Sequence, residues 1–282
     1  MGGFFGIASW DDCIADLFYG TDYHSHLGTK RGGLAVRQKD GFVRVIHNIE
    51  NAQFRSKFDP DLDRMHSWAG IGVISDFDDQ PLLIRSHLGD YAIVTVGAIK
   101  NAAALSEDLF RKRGLHFTEI GAGGINPTEL AATLIDQEES FEAGIRNLQD
   151  SIEGSCSVLI LTEKGLYAGR DKWGRTPIVL GKKAGNFAVT SETCAFPNLG
   201  FEVEKYLGPG EILFISPEGC EQKQAPGDKL QICAFLWVYY GYPASSYEGI
   251  NVEDARNRCG AFLAKHNPVP IDFVAGIPDS GV

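Results

Sequence analysis

The chain opens MGGFFGIAS over residues 1–9, an apolar, glycine-rich stretch with no charge before Asp11, and how it is read decides the fold. A secretory leader would carry a basic front end and a longer apolar core, whereas Asp11 and Asp12 interrupt this one at once. N-myristoylation would use Gly2 but needs Ser or Thr at position 6, where Gly6 stands. The remaining reading is a strand, Phe4 to Ser9, buried close to the amino terminus.

Further runs with apolar or alternating patterns predict strands at 33–38, 42–48, 69–75, 81–86, 91–99, 156–162, 165–171, 176–183, 186–192 and 211–217. Helices are fewer: 102–112, 127–138, 140–152 and 252–265. The second has Asn126 as N-cap, Pro127 at its first position and Glu129 at the place of a capping box. Turns at Gly208-Pro209-Gly210 and 216–219 separate the last strands. So many strands are buried most simply by two packed sheets with helices outside them, an α+β sandwich.

Composition bounds the function. With 282 residues, of which 44% are hydrophobic and 11% aromatic, the chain can bury a sizeable core. No apolar run approaches the ~20 residues of a membrane span. A formal net charge of −11 argues against a broad phosphate-binding surface, so neither nucleic acid nor membrane is an expected partner. The six cysteines are widely spaced without a C-x-x-C pair, which predicts reduced thiols and a cytoplasmic protein.

Several collinear segments resemble one family: GRDKWGRTPIVLG (169–181), SETCAF (191–196), LGPGEILFISPEG (207–219), ICAFLWVYYGYPASSYEGINVEDARNRCGAFLA (232–264) and IDFVAGIPDSG (271–281). The chain is similar to the amidophosphoribosyltransferases of purine synthesis. The resemblance implies a class II glutamine amidotransferase domain over 1–230, a four-layer αββα sandwich of the N-terminal-nucleophile (Ntn) hydrolase type. It further implies that 231–282 hold the connection and first elements of a truncated phosphoribosyltransferase-type α/β domain. Such a chain is expected to carry no cofactor of its own; Mg and phosphoribosyl pyrophosphate would belong to a transferase domain, if one follows. A homo-oligomer is the family's habit, and a small-molecule ligand its expected partner.

The same resemblance places the glutaminase residues, and here the chain departs from its family. The family's nucleophile is a terminal Cys, exposed by removal of Met and deprotonated by its own α-amino group; that position is Gly2, which has neither thiol nor hydroxyl. The family's G-x-G-H-x-R-Y-S-T segment clamps the substrate carboxylate with its Arg; this chain reads GIGVISDF (70–77), with Ser75 in that place. The H-N-G-N-L segment supplies an oxyanion hole; here TVGAI (95–99) has Val96 for the Asn and retains only Gly97. The S-D-T-E-V segment binds the substrate amine through its Asp; here NPTEL (126–130) has Pro127. His26 and Gly28 match the Q-H-R-G segment, but Leu27 replaces its Arg. One oxyanion donor is typically worth ~2.7–4 kcal/mol, and loss of the nucleophile removes the covalent route entirely. The expectation is a glutamine amidotransferase-like domain with no catalytic residue and no glutaminase activity. The alternative is a ligand-binding or regulatory module that uses the remodelled pocket. A replacement hydrolase built on Ser75 or Thr95 lacks an identifiable base.

Other constellations have plainer accounts. His24 and His26 sit two apart without a third ligand, so a turn or core role is expected rather than a metal site. The run Ser75-Asp76-Phe77-Asp78-Asp79 lacks the spacing of a calcium loop and reads as a solvated loop. Residues 121–124 (GAGG) read as a turn rather than an anion cradle. Cys233 coincides with an iron–sulfur ligand of one family branch, but four thiolates are needed, so Cys233 and Cys259 are expected to be packing cysteines. Arg170 and Asp171 are expected to be structural, as an ion pair at a strand end.

Overall fold

A computed structural model describes residues 2–113, 117, 120–121 and 124–277. Thirteen strands build its two large sheets: β1 (Gly2–Ala8), β2 (Arg31–Gln38), β3 (Gly41–Asn48), β4 (Ala69–Ser75), β5 (Leu82–Ser86), β6 (Gly89–Ile99), β7 (Gly154–Leu161), β8 (Leu166–Gly169), β9 (Val179–Lys183), β10 (Asn186–Thr190), β11 (Glu202–Tyr206), β12 (Ile212–Ser216) and β13 (Gly219–Gln224). The helices are α1 (Ile14–Asp22), α2 (Phe54–Leu62), α3 (Ala102–Arg113), α4 (Pro127–Ile135), α5 (Phe141–Ser151), α6 (Ala195–Leu199) and α7 (Val252–His266). The first sheet runs β11-β9-β10-β1-β4-β2-β3 and the second β13-β12-β8-β7-β6-β5, and neighbours within each are antiparallel.

Strand β1 shows why the opening stretch is apolar on both faces. Phe4 and Ala8 point between the sheets, where they meet Val94, Leu159, Leu166 and Ile215. Phe5 and Ile7 point the other way, into a second core with Leu17 and Phe18 of α1 and Phe54 and Phe58 of α2. A third core packs α4 and α5, through Leu130, Leu134, Ile145 and Leu148, onto Ile93, Val158 and Ile160. Helices outside both sheets complete the four-layer αββα sandwich. Glycines bring α1 down onto its sheet: a Cβ at Gly20 would lie 2.6 Å from the Phe5 ring, and one at Gly72 1.9 Å from Thr21 Oγ1.

All eleven predicted strands form, with boundaries shifted by up to three residues. Helix α4 stops at Ile135, three residues short of its predicted end, and its Asn126 side chain accepts from Thr128 N at 2.8 Å. Helix α5 is capped by Ser140, whose side chain accepts from Ala143 N.

Residues beyond the last strand are anchored to the sandwich at two buried points. Arg170, fully buried, donates to the carbonyls of Leu207 and Gly174 and pairs with Glu248 at 2.8 Å. This corrects the expected Arg170–Asp171 pair: the Asp171 carboxylate instead accepts from the backbone N–H groups of Trp173 (3.1 Å) and Thr176 (2.7 Å) and so holds its own turn. The second point is Glu192, which receives Ser245 Oγ at 3.1 Å and the Tyr247 hydroxyl. No helix among the described residues is long and apolar enough to cross a membrane.

Candidate functional site

One end of the sandwich holds a cavity of about 550 Å³, and Gly2, Ser75, Val96, Gly97 and Pro127 all line it. The fold brings them together by register. Gly2 of β1 pairs with Ser75 of β4, Val96 and Gly97 lie near the end of β6 beside Ser157 and Cys156, and Pro127 opens α4. His26 stands one contact behind the wall: its Nε2 lies 2.9 Å from Glu192 Oε2, and Glu192 lines the cavity. Leu27 lines it too.

The chemistry these positions can support is limited. A Cβ at Gly2 would sit 2.5 Å from the Ile74 carbonyl oxygen, a backbone atom, so a side chain there requires the strand end to shift. Gly97 has no such latitude, because a Cβ would lie 2.0 Å from the Ser155 carbonyl oxygen. Ser75 Oγ accepts weakly from Phe77 N (3.3 Å) and Asp78 N (3.4 Å). Thr95 Oγ1 is shared with Thr128 Oγ1 at 2.7 Å, and Thr95 N donates to Gln80 Oε1 at 2.7 Å. Among the described residues neither hydroxyl is bonded to a histidine or carboxylate, the arrangement a serine or threonine nucleophile requires.

Behind the wall lies a buried polar network. His24 is fully buried; its Nδ1 lies 2.9 Å from the Gly20 carbonyl, which can only accept, so Nδ1 carries the proton and Nε2 faces Thr190 Oγ1 at 2.9 Å. Burial pushes this imidazole down to about 4, against the pull of Glu192. Glu192 is buried, which opposes its charge, yet the hydrogen bonds from His26 and the Tyr247 hydroxyl hold its carboxyl below the usual range. The expectation of a core role for His24 describes what is seen. Among the described residues no group of three or more His, Cys, Asp or Glu side chains is placed to hold a metal ion.

Sequence reasoning missed several wall residues. The run 75–79 is not a uniformly solvated loop: Asp76 accepts from Thr29 N at 2.8 Å, Asp79 pairs with Arg31 at 2.9 Å, and Asp78 lies half-buried on the cavity wall. Gln80, Arg175, Glu192 and Tyr247 also line the cavity, and they come from segments far apart in sequence. Cys233 and Cys259 are exposed, which corrects their assignment as packing cysteines; Cys233 borders the cavity mouth beside the turn Leu236–Tyr240, outside the sandwich. Of the GAGG stretch, Gly121 pairs with Gly124 in a two-stranded ribbon, and positions 122 and 123 lie outside the described residues.

Comparison with known proteins agrees with this architecture. A family described as glutamine amidotransferase domain matches residues 66–198. The amidophosphoribosyltransferase of Methanocaldococcus jannaschii is 30% identical, over 100% of this chain and 64% of its own length. That of Bacillus subtilis is 28% identical, over 99% of this chain and 60% of its own. The solved glutamine phosphoribosylpyrophosphate amidotransferase from B. subtilis, complexed with ADP and GMP, superposes with a TM-score of 0.89 at 27% identity, covering 99% of this chain and 62% of that one. A second structure, described as the allosteric regulatory enzyme of purine biosynthesis, gives 0.90 at 27% identity over 99% and 61%. The chain thus spans less than two thirds of each of these relatives.

Proposed function

Because this chain belongs to the amidophosphoribosyltransferase family, with the Ntn-hydrolase sandwich of its glutamine amidotransferase domain, we propose that it is a cytoplasmic amidotransferase-like domain that does not hydrolyse glutamine. The observation that carries this reading is the cavity itself. It is lined by Gly2, Ser75, Val96 and Pro127, the positions to which the family resemblance assigns the nucleophile, the carboxylate clamp, an oxyanion donor and the amine ligand. On that assignment four functions of one site are missing together, within a scaffold that keeps the sandwich.

In this proposal 1–230 form the amidotransferase-like domain and 231–282 the connection into a phosphoribosyltransferase domain. A transferase acting on phosphoribosyl pyrophosphate with Mg would then take ammonia or another amine that this domain does not generate. A second reading, a ligand-binding or regulatory module, is favoured by the survival of a cavity of about 550 Å³ with an apolar wall of Leu27, Ile74, Val96 and Ile125. Both readings require that the purified chain release no ammonia from L-glutamine above a heat-denatured control. Turnover typical of an enzyme, on the order of 1 s⁻¹ or more, would overturn both.

A further inference from the structure

Three charged side chains line the cavity: Asp78, Arg175 and Glu192. Two of them are engaged. Glu192 is bonded to His26, Ser245 and Tyr247, and Arg175 donates to Gln231 Oε1 at 3.0 Å and to the Gly154 carbonyl. The Asp78 carboxylate has no hydrogen-bond or ion-pair partner among the described residues; its neighbours in sequence are committed elsewhere, Asp76 to Thr29 N and Asp79 to Arg31.

A second polar group points to a ligand at the same wall. Gln80 is 5% exposed, and its Oε1 is fixed by Thr95 N at 2.7 Å. That bond orients the amide; Gln80 lines the cavity, and its Nε2 donor has no hydrogen bond among the described residues. A side chain this deeply buried normally has its donors satisfied. The wall around it is apolar, from Leu27, Ile74, Val96 and Ile125.

We propose that the cavity binds a primary ammonium compound with an apolar body and no carboxylate, its cation on Asp78 and a hydrogen-bond acceptor within reach of Gln80 Nε2. This deepens the reading of the cavity as a ligand site without glutaminase chemistry, and rests on it. The selectivity follows from charge. Ser75 stands in place of an arginine, and the Asp78 carboxylate, without a partner among the described residues, attracts a cation and repels a ligand carboxylate, whereas the Arg175 guanidinium is held by the neutral acceptors Gln231 Oε1 and the Gly154 carbonyl. Burial and the like charge of Asp79 push the Asp78 carboxyl above its ordinary value. A bound cation would offset both effects.

The test is isothermal titration of the purified chain at pH 7.5 with 4-phenylbutylamine, its neutral isostere 4-phenyl-1-butanol, and 4-phenylbutyrate. The amine is expected to bind at least about tenfold more tightly than the alcohol, as a charge-assisted hydrogen bond warrants, and the carboxylate more weakly than either. Asp78→Asn should bring amine and alcohol to parity. Equal binding of amine and alcohol by the unaltered chain, binding of neither, or an amine preference that survives Asp78→Asn would each overturn the proposal. Ammonia release from L-glutamine in the same preparation would sink the underlying reading instead, so the two failures are told apart.

Discussion

The buried imidazole of His24 makes a quantitative prediction about stability. In the folded chain its pKa is pushed from 6.5 down to about 4 by burial, while the unfolded chain binds the proton with the ordinary affinity. Between those two values the unfolded state holds more protons than the folded one, so stability falls as pH falls through this window. It is complete above about pH 6.5 and levels off below about pH 4. At ~1.36 kcal/mol per pH unit the full effect is about 3 kcal/mol, of which about 2 kcal/mol is lost between pH 7.5 and pH 5. The assay is urea unfolding followed by tryptophan fluorescence at both pH values, on the wild-type chain and on His24→Gln. The variant should be less stable at pH 7.5, because contacts to Gly20 and Thr190 are altered, but its stability should fall by about 2 kcal/mol less than the wild type's on acidification. Carboxyls raised by burial, such as Asp78 and Asp136, contribute with the opposite sign and are common to both proteins, so the comparison removes them. If wild type and variant lose the same stability between the two pH values, the buried neutral imidazole is refuted.

Two further perturbations test the packing that positions the site. Gly20→Ala places a Cβ 2.6 Å from the Phe5 ring; overpacking of about 1–3 kcal/mol should outweigh the helix-propensity gain of about 1 kcal/mol, and a rise in the urea midpoint would contradict the α1–β1 contact. Arg170→Met leaves Glu248 without its buried partner and should cost about 3–5 kcal/mol. Adding Glu248→Met should recover part of that loss, and a single-variant loss below about 1 kcal/mol would show that the pair does not anchor the 246–251 hairpin.

Much of this fold was legible along the chain because its strands are buried on both faces or alternate cleanly. FFGIA in β1 and SVLIL in β7 read as strands without help from context. The missed elements lacked that signal. Strand β13 (GCEQKQ) is a polar edge, and β11 (EVEKY) is an edge with three charged residues among its five. Helix α2 contains Pro60, and the last turn of α1 carries Gly20 and Thr21, weak helix formers whose small size and hydroxyl serve packing instead. The site was legible where a resemblance supplied positions: Gly2, Ser75, Val96, Gly97 and Pro127 converge on one cavity although up to 125 places apart in the chain. Asp78, Gln80 and Glu192 were not legible. Their roles depend on which neighbours are already engaged, and those partners, such as Tyr247 for Glu192 and Thr95 for Gln80, become visible only when the chain is folded.

The central claim is that glutaminase chemistry is lost at several positions at once, and not merely at the nucleophile. It is tested most directly by ammonia release from L-glutamine by Gly2→Cys, with exposure of the new cysteine as the terminal residue verified by intact mass. Ser75, Val96 and Pro127 remain in that variant, and a Cβ at position 2 meets the Ile74 carbonyl. Gly2→Cys is expected to be as silent as the unaltered chain. Sustained ammonia release from Gly2→Cys would contradict it, because the cavity would then be a working glutamine site lacking only its sulfur.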